Sequence, residues 1–202
     1  MKYFRLTQNG FPTLDSGNYP GFYLRIEFGN SYKEWELMIG QVIRNWNPST
    51  CAYFEKEADH VDFPFTENDI HVYSPKFKHL MQKLIRYEIQ FLPLQIVFRP
   101  TKMSIGKYYL ANYLKVIDCI DRENSKYELW TKENLLFWEK REYLLGSFSY
   151  IDHLVLDSKK ITDAKIFRPW GWKMAVIVRE DLKDEIENAK ITGCIFSSLE
   201  IS

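Results

Sequence analysis

The sequence predicts an α+β fold: a mixed β-sheet with amphipathic helices packed on one face, and a strand-rich part at the N-terminal end. Three observations carry that expectation. Aromatic residues make up 16% of the 202-residue chain and hydrophobic residues 46%, a large core drawn from side chains that favour strands. A strand–helix–strand order occurs twice, at 69–98 and at 174–201, and the second echoes the first in element order, not in residue identity. Between them, Lys107–Asp121 is apolar on both parities and free of Gly and Pro, as a central strand covered on both faces, or a strand with a bend, should be. Asn112 and Asp118 are its polar interruptions. One domain, 1–202, suits this length, with residues 1–65 as a candidate strand-rich N-terminal subdomain.

In order along the chain, Tyr3–Leu6 opens a strand, and Asn9-Gly10, Ser16-Gly17 and Pro20-Gly21 signal turns. Phe22–Phe28 alternates apolar and polar residues as a half-buried strand does. Trp35–Ile43 reads as a strand broken at Gly40, and 44–68, with Asn47-Pro48 and Phe63-Pro64, as an irregular connection. Asp69–Tyr73 is a short strand before the clearest helix, 75–88. There Ser74 is a natural N-cap, Pro75 fits the first turn, and Phe77, Leu80, Met81, Leu84 and Ile85 fall on one face. Leu92–Phe98 follows as a strand that ends before Pro100. In 126–147, Leu129-Trp130 extends a strand, while Asn134–Leu145 suits helix and strand equally. Phe148–Leu156 and Ala164–Arg168 are strands on either side of the polar turn 157–160, and Met174–Val178 is an apolar strand. A helix over about 180–190 begins with Glu180 and Asp181, where the dipole favours acid. Leu182, Ile186 and Ala189 form its apolar stripe, and Gly193 is its expected stop. Cys194–Ile201 closes the chain as a strand.

Lys+Arg and Asp+Glu both number 27, so the formal charge is zero. Nucleic-acid binders ordinarily carry a basic excess, and nucleic acid is not expected as a partner. Three widely spaced cysteines point to reduced thiols in the cytoplasm. The N-terminus has no signal-peptide run, and no window approaches the ~20 apolar residues of a membrane span, so no membrane partner is expected either.

No dinucleotide, phosphate-loop or serine-hydrolase motif is present, and His60, His71, His79 and His153 lack zinc spacing; no metal or cofactor is expected. Asp118 and Asp121 stand three apart, which in a strand turns them to opposite faces. Together with His153 they make the rival reading, a small hydrolase-like enzyme. A non-catalytic scaffold module is the third. A different signal lies in Arg168-Pro169-Trp170-Gly171-Trp172-Lys173, a turn between two strands. Arg168, Trp170, Trp172 and Lys173 are candidate partner-binding residues, because interfaces concentrate their energy in Trp, Tyr and Arg. The same tryptophans can equally fold back over the edge of the core.

Several stretches together carry a family resemblance. They are Asp69-Ile70-His71-Val72-Tyr73-Ser74 before a helix, Tyr109-Leu110-Ala111-Asn112, Asp118-Cys119-Ile120-Asp121 with Ser125, Leu154-Val155-Leu156-Asp157, Ile166-Phe167-Arg168 and Ile191-Thr192-Gly193-Cys194-Ile195-Phe196. Over about 65–200 the chain resembles a bacterial immunity family, the eleventh such class, encoded beside polymorphic toxins. The resemblance implies a small, non-enzymatic cytoplasmic protein that neutralises a cognate toxin by binding and occluding it. It supplies no catalytic residues. Arg179 stands where a small capping residue would ordinarily precede the last helix.

Overall fold

The structure, a computed structural model, describes residues 1–9, 23–28, 34–55, 59–66, 70–85, 87–135, 144–172 and 174–202. The turn signals at Ser16-Gly17 and Pro20-Gly21 lie outside the described residues. In chain order the first half holds β1 (Tyr3–Gln8), β2 (Tyr23–Glu27), β3 (Cys51–Phe54), β4 (Phe65–Thr66), β5 (Val72–Tyr73), α1 (Pro75–Leu84), β6 (Ile89–Phe98) and β7 (Met103–Tyr113). The second holds β8 (Val116–Ile117), β9 (Lys126–Leu129), α2 (Lys132–Leu135), β10 (Phe148–His153), β11 (Val155–Leu156), β12 (Ile166–Pro169), β13 (Val176–Arg179), α3 (Glu180–Asn188), β14 (Cys194–Ser198) and β15 (Glu200–Ile201). The molecule is strand-rich with few helices. The strands form two larger sheets, ordered β4-β2-β3-β6-β7-β5 and β14-β1-β13-β12-β8, with β9–β10 and β11–β15 as two-stranded pairs.

The repeated strand–helix–strand order has a common geometry. β5 and β6 both pair antiparallel with β7, which lies between them. β13 and β14 both pair antiparallel with β1, which lies between them. In each unit a helix joins two parallel strands that are held apart by a third. Residues from both helices, Phe77 and Met81 of α1 and Leu182 and Ile186 of α3, enter one core cluster with Tyr73 and Tyr113.

Local chemistry sets the helix ends. Ser74 Oγ accepts from Phe77 N at 3.1 Å and Pro75 opens α1, as expected. The helix stops at Leu84, short of residue 88, because Ile85 turns extended and the β6–β7 ladder starts at Ile89. Arg179 precedes α3 without a side-chain cap on the helix; its guanidinium instead donates to Asp163 O at 3.1 Å and grips both oxygens of Asp181 at 2.7 and 2.8 Å, holding that carboxyl down to about 2. At the C-terminal end Lys190, with φ 52, takes the left-handed position that closes the helix, three residues before Gly193, which itself has φ 89. Ile191 N donates to Ile186 O and Lys190 N to Glu187 O, the paired closure of a Schellman motif. Gly193 serves a close approach: a Cβ there would lie 2.4 Å from Phe63 O.

Three expectations are corrected. Residues 34–38 form a 3-10 helix, not part of a strand over 35–43. The Glu-Trp-Glu-Leu-Met sequence lacks β-branched residues, and Gly40 at φ 75 turns the chain where a Cβ would meet Val116 at 2.7 Å. The connection 44–68 contains β3, an interior strand between β2 and β6, and β4 at the edge. The four residues of β3, Cys-Ala-Tyr-Phe, carry no apolar–polar alternation to mark a strand. The stretch 107–121 is not one central strand either. β7 ends at Tyr113, the chain bends through Leu114 and Lys115, and β8 continues in the other sheet beside β12. Asn112, the interruption within β7, donates to Gln41 O at 2.8 Å and Gln90 Oε1 at 3.0 Å; Gln90 also bonds Ile43 through both N and O, so the pair pins segment 41–43 to the sheet.

Met81 is fully buried while Leu84 packs only partly against the core. Met81→Ala is therefore expected to cost about 2–5 kcal/mol in denaturant unfolding, and Leu84→Ala distinctly less. Equal losses would contradict this assignment of the helix face.

Candidate partner-binding surface

β12 delivers the Arg168–Trp172 segment from the centre of the molecule to its surface. Arg168 is 2% exposed, so it is withdrawn from the candidate surface. Its backbone N–H bonds Lys115 O at 2.9 Å, and its guanidinium lies over the Tyr113 ring at 4.9 Å. Pro169 O accepts from Trp172 N at 3.3 Å across a turn whose third residue is Gly171 at φ 81, the sign a type II turn requires. Two more bonds fix the turn: Trp170 N to Ile117 O at 2.7 Å and Phe148 N to Gly171 O at 3.0 Å. A Cβ on Gly171 would press on the Phe148 ring at 3.1 Å, so glycine is required by contact as well as by φ.

The two tryptophans part company at this turn. Trp170 is 50% exposed and lines a pocket of about 220 Å³ with Met38, Ile39, Val116, Ser147 and Leu145, the last 41% exposed. Arg122 sits over both Trp170 and Phe148 at 5.7 Å. Trp172 packs against the cluster of Phe148, Phe167 and Ile177, with the Arg5 guanidinium over its ring at 4.8 Å. It lines a separate, larger groove of about 780 Å³ with Thr7, Ile151, Ile195 and Ser197. Lys173 lies outside the described residues. Leu145 and Arg122 were not foreseen: one falls in the ambiguous stretch 126–147, the other in a polar turn that carries no aromatic signal.

Of Asp118, Asp121 and His153, the first two share one concavity, where a strand would have set them on opposite faces, and His153 stands apart. Asp118 and Asp121 line a polar concavity with Arg122, Lys159 and Lys160, whereas His153 lines the larger groove and meets Glu200 at 3.1 Å. Asp121 is a turn-former: its carboxylate accepts from the Asn124 side chain at 2.7 Å and from the backbone N–H groups of Glu123 and Asn124, and these together with the Ser202 hydroxyl lower its pKa to about 2. Ser125 bonds Val155 through both its hydroxyl and Val155 N, closing the same turn.

Behind the turn is a buried polar chain. His71 Nδ1 lies 2.6 Å from Tyr113 Oη, which lies 2.6 Å from Tyr73 Oη. Burial, then the nearby Arg168 and Arg5, press the His71 pKa well below its ordinary value, so the imidazole is neutral. Burial raises both tyrosines and keeps their hydroxyls protonated. Phe63 closes the site, with its ring edge-on to His71, Tyr73 and Phe77. Asp62, just before it, accepts from Ser74 Oγ at 2.6 Å and from Thr192 N at 3.1 Å.

Compared with known families, residues 36–200 match the model of the Immunity protein family (Imm11). The chain belongs to this family. The Imm11 match begins well before residue 65, so it takes in the last three residues of the 3-10 helix, segment 41–43 and β3 as well as the motifs that carried the resemblance. No curated protein matches the chain. Membership of Imm11 ties the chain to toxin immunity. Among the described residues no helix is long and apolar enough to cross a membrane.

The buried chain predicts an acid sensitivity. His71 holds a proton in the unfolded state below about pH 6.5 but not in the folded state, so the unfolded state binds more protons there. Stability is thus fully present above pH 6.5 and falls by about 1.4 kcal/mol per unit as the pH drops below it. His71→Gln, measured by urea unfolding between pH 5 and 7.5, is expected to flatten this slope. An unchanged slope would show that His71 is not its source.

Proposed function

We propose that this Imm11 protein neutralises a cognate toxin by binding it directly and covering its active cleft, and that the Trp170 turn is one centre of contact. The observation that carries the reading is a half-exposed tryptophan fixed by backbone bonds from β8 and β10, lining a pocket that exposed Leu145 also lines. Aromatic anchors beside a receptive pocket are where interfaces concentrate energy, and a side chain fixed beforehand loses little freedom on binding. Arg122 over the ring adds a cation that docking would desolvate. Cys51, Cys119 and Cys194 are free thiols, in keeping with action in the cytoplasm. Trp172 has a supporting role, because it packs on the core.

The test uses the toxin encoded beside this gene, titrated against two variants. Trp170→Ala should melt as the wild type does and bind roughly thirtyfold to a thousandfold more weakly, the equivalent of about 2–4 kcal/mol. Trp172→Ala should lower the melting point. Unaltered affinity in Trp170→Ala would remove the turn from the interface, and a toxin that does not bind the wild-type protein would end the direct-binding reading.

A further inference from the structure

We propose that β14 receives an extended segment of the toxin as an added strand, held by its free edge and by the groove beside it. The inference rests on the reading that this protein binds its toxin directly, and it names how part of that toxin is held.

Among the described residues β14 is an edge strand, paired only with β1. Asn9 N donates to Gly193 O at 2.8 Å and Leu199 N to Tyr3 O at 3.0 Å, which fixes those two pairs as hydrogen-bonded. Bonded and non-bonded pairs alternate along an antiparallel ladder. In the register Thr7–Ile195 and Arg5–Ser197, therefore, Ile195 and Ser197 direct their N–H and C=O groups at β1. Cys194, Phe196 and Ser198 direct theirs outward, as a row of donors and acceptors spaced for another strand.

Proteins usually blunt such edges with charge, proline, bulges or extreme shortness, because a bare ladder captures other strands. The other three edges of the two large sheets, β4, β5 and β8, are two residues long. The β9–β10 pair carries register shifts and charged residues, Lys126, Glu128 and Asp152 among them. β14 has none of these protections: it is five residues, Cys-Ile-Phe-Ser-Ser, and Ile195 is 43% exposed.

The groove selects the occupant. Ile195 and Ser197 face the concavity of about 780 Å³ that Arg5, Thr7 and Trp172 also line. Two copies of this chain paired antiparallel through β14 would be related by an axis normal to the sheet. Both grooves would then lie on the same side, and neither copy would fill the other's. A toxin strand whose alternate side chains drop into the groove satisfies the ladder and fills the concavity together. The segment it calls for is extended, with an apolar side chain beside Ile195.

Two variants and one exchange measurement test this with the toxin encoded beside the gene, in a catalytically inactive form. Ser198→Pro deletes an outward N–H that the β1 ladder does not use, and Ile195→Lys sets a charge at the groove mouth; both side chains are exposed. Each variant should melt as the wild type does and bind at least tenfold more weakly. In the wild-type complex the Phe196 and Ser198 amides should exchange more slowly than in the free protein. If Ser198→Pro melts lower, Ile195→Lys and the exchange rates decide. Wild-type affinity in the folded variants with no slowing overturns strand addition and leaves direct binding standing; absence of wild-type binding overturns both. A wild-type dimer that Ser198→Pro or Ile195→Lys converts to monomer would assign the edge to a second copy and overturn the proposal.

Discussion

The molecule depends on a joint at Tyr113, where one stretch of chain leaves the first large sheet and enters the second. β7 is the longest strand among the described residues and carries ten registered pairs with β6, yet after only two intervening residues the same chain is pairing with β12. A bend that short cannot be adjusted by a loop, so the two sheets are locked at that point by covalent geometry. The side chains around it complete the lock. Tyr113 joins His71 and Tyr73 by two short hydrogen bonds, and Arg168 of the opposite sheet lies on its ring.

A buried guanidinium is expensive, since removing a cation from water costs several kcal/mol before compensation. Here the aromatic face of Tyr113 offsets part of that cost, and the neutral state of His71 avoids adding to it, because a protonated imidazole beside Arg168 and Arg5 would add a third like charge. The functional consequence is position. β12 is anchored at Arg168 in the joint, so the turn that follows immediately leaves from a fixed point, and Trp170 and Trp172 inherit its rigidity. β1 sits on the same core, with Leu6 towards the helices and Arg5 towards Trp172, so the outer strand β14 is held by the same frame.

Much of the frame was legible in the residues. Ser74-Pro75 and the spacing of Phe77 and Met81 specify α1 through capping and periodicity, which are local effects. The doubled strand–helix–strand order was also readable, although the strand inserted into each unit was not, because β1 meets β13 and β14, and β7 meets β5, by pairing between residues remote in sequence. Arg168 was misplaced for a related reason. Arginine beside two tryptophans reads as an interface, and only the position of Tyr113, fifty-five residues earlier, reveals the ring that receives it. Phe63 and Asp62 were lost inside an irregular stretch, since their partners Thr192 and Gly193 are remote in sequence. The split between Trp170 and Trp172 turns on Gly171, which was noticed, and on Phe148 and Leu145, which were not connected to it.

The claim that the Tyr113 joint makes the two sheets one cooperative unit is tested most directly by native-state hydrogen exchange on the wild type and Tyr113→Phe. In the wild type, the slowest amides of β6 and β7 and those of β12 and β13 should share one opening free energy and one denaturant dependence, as a single cooperative unit does. Tyr113→Phe, which deletes both hydrogen bonds of the chain and keeps the ring under Arg168, should lower that energy equally in both sheets. Separate opening energies for the two sheets in the wild type, or a loss confined to β6 and β7 in the variant, would contradict the account.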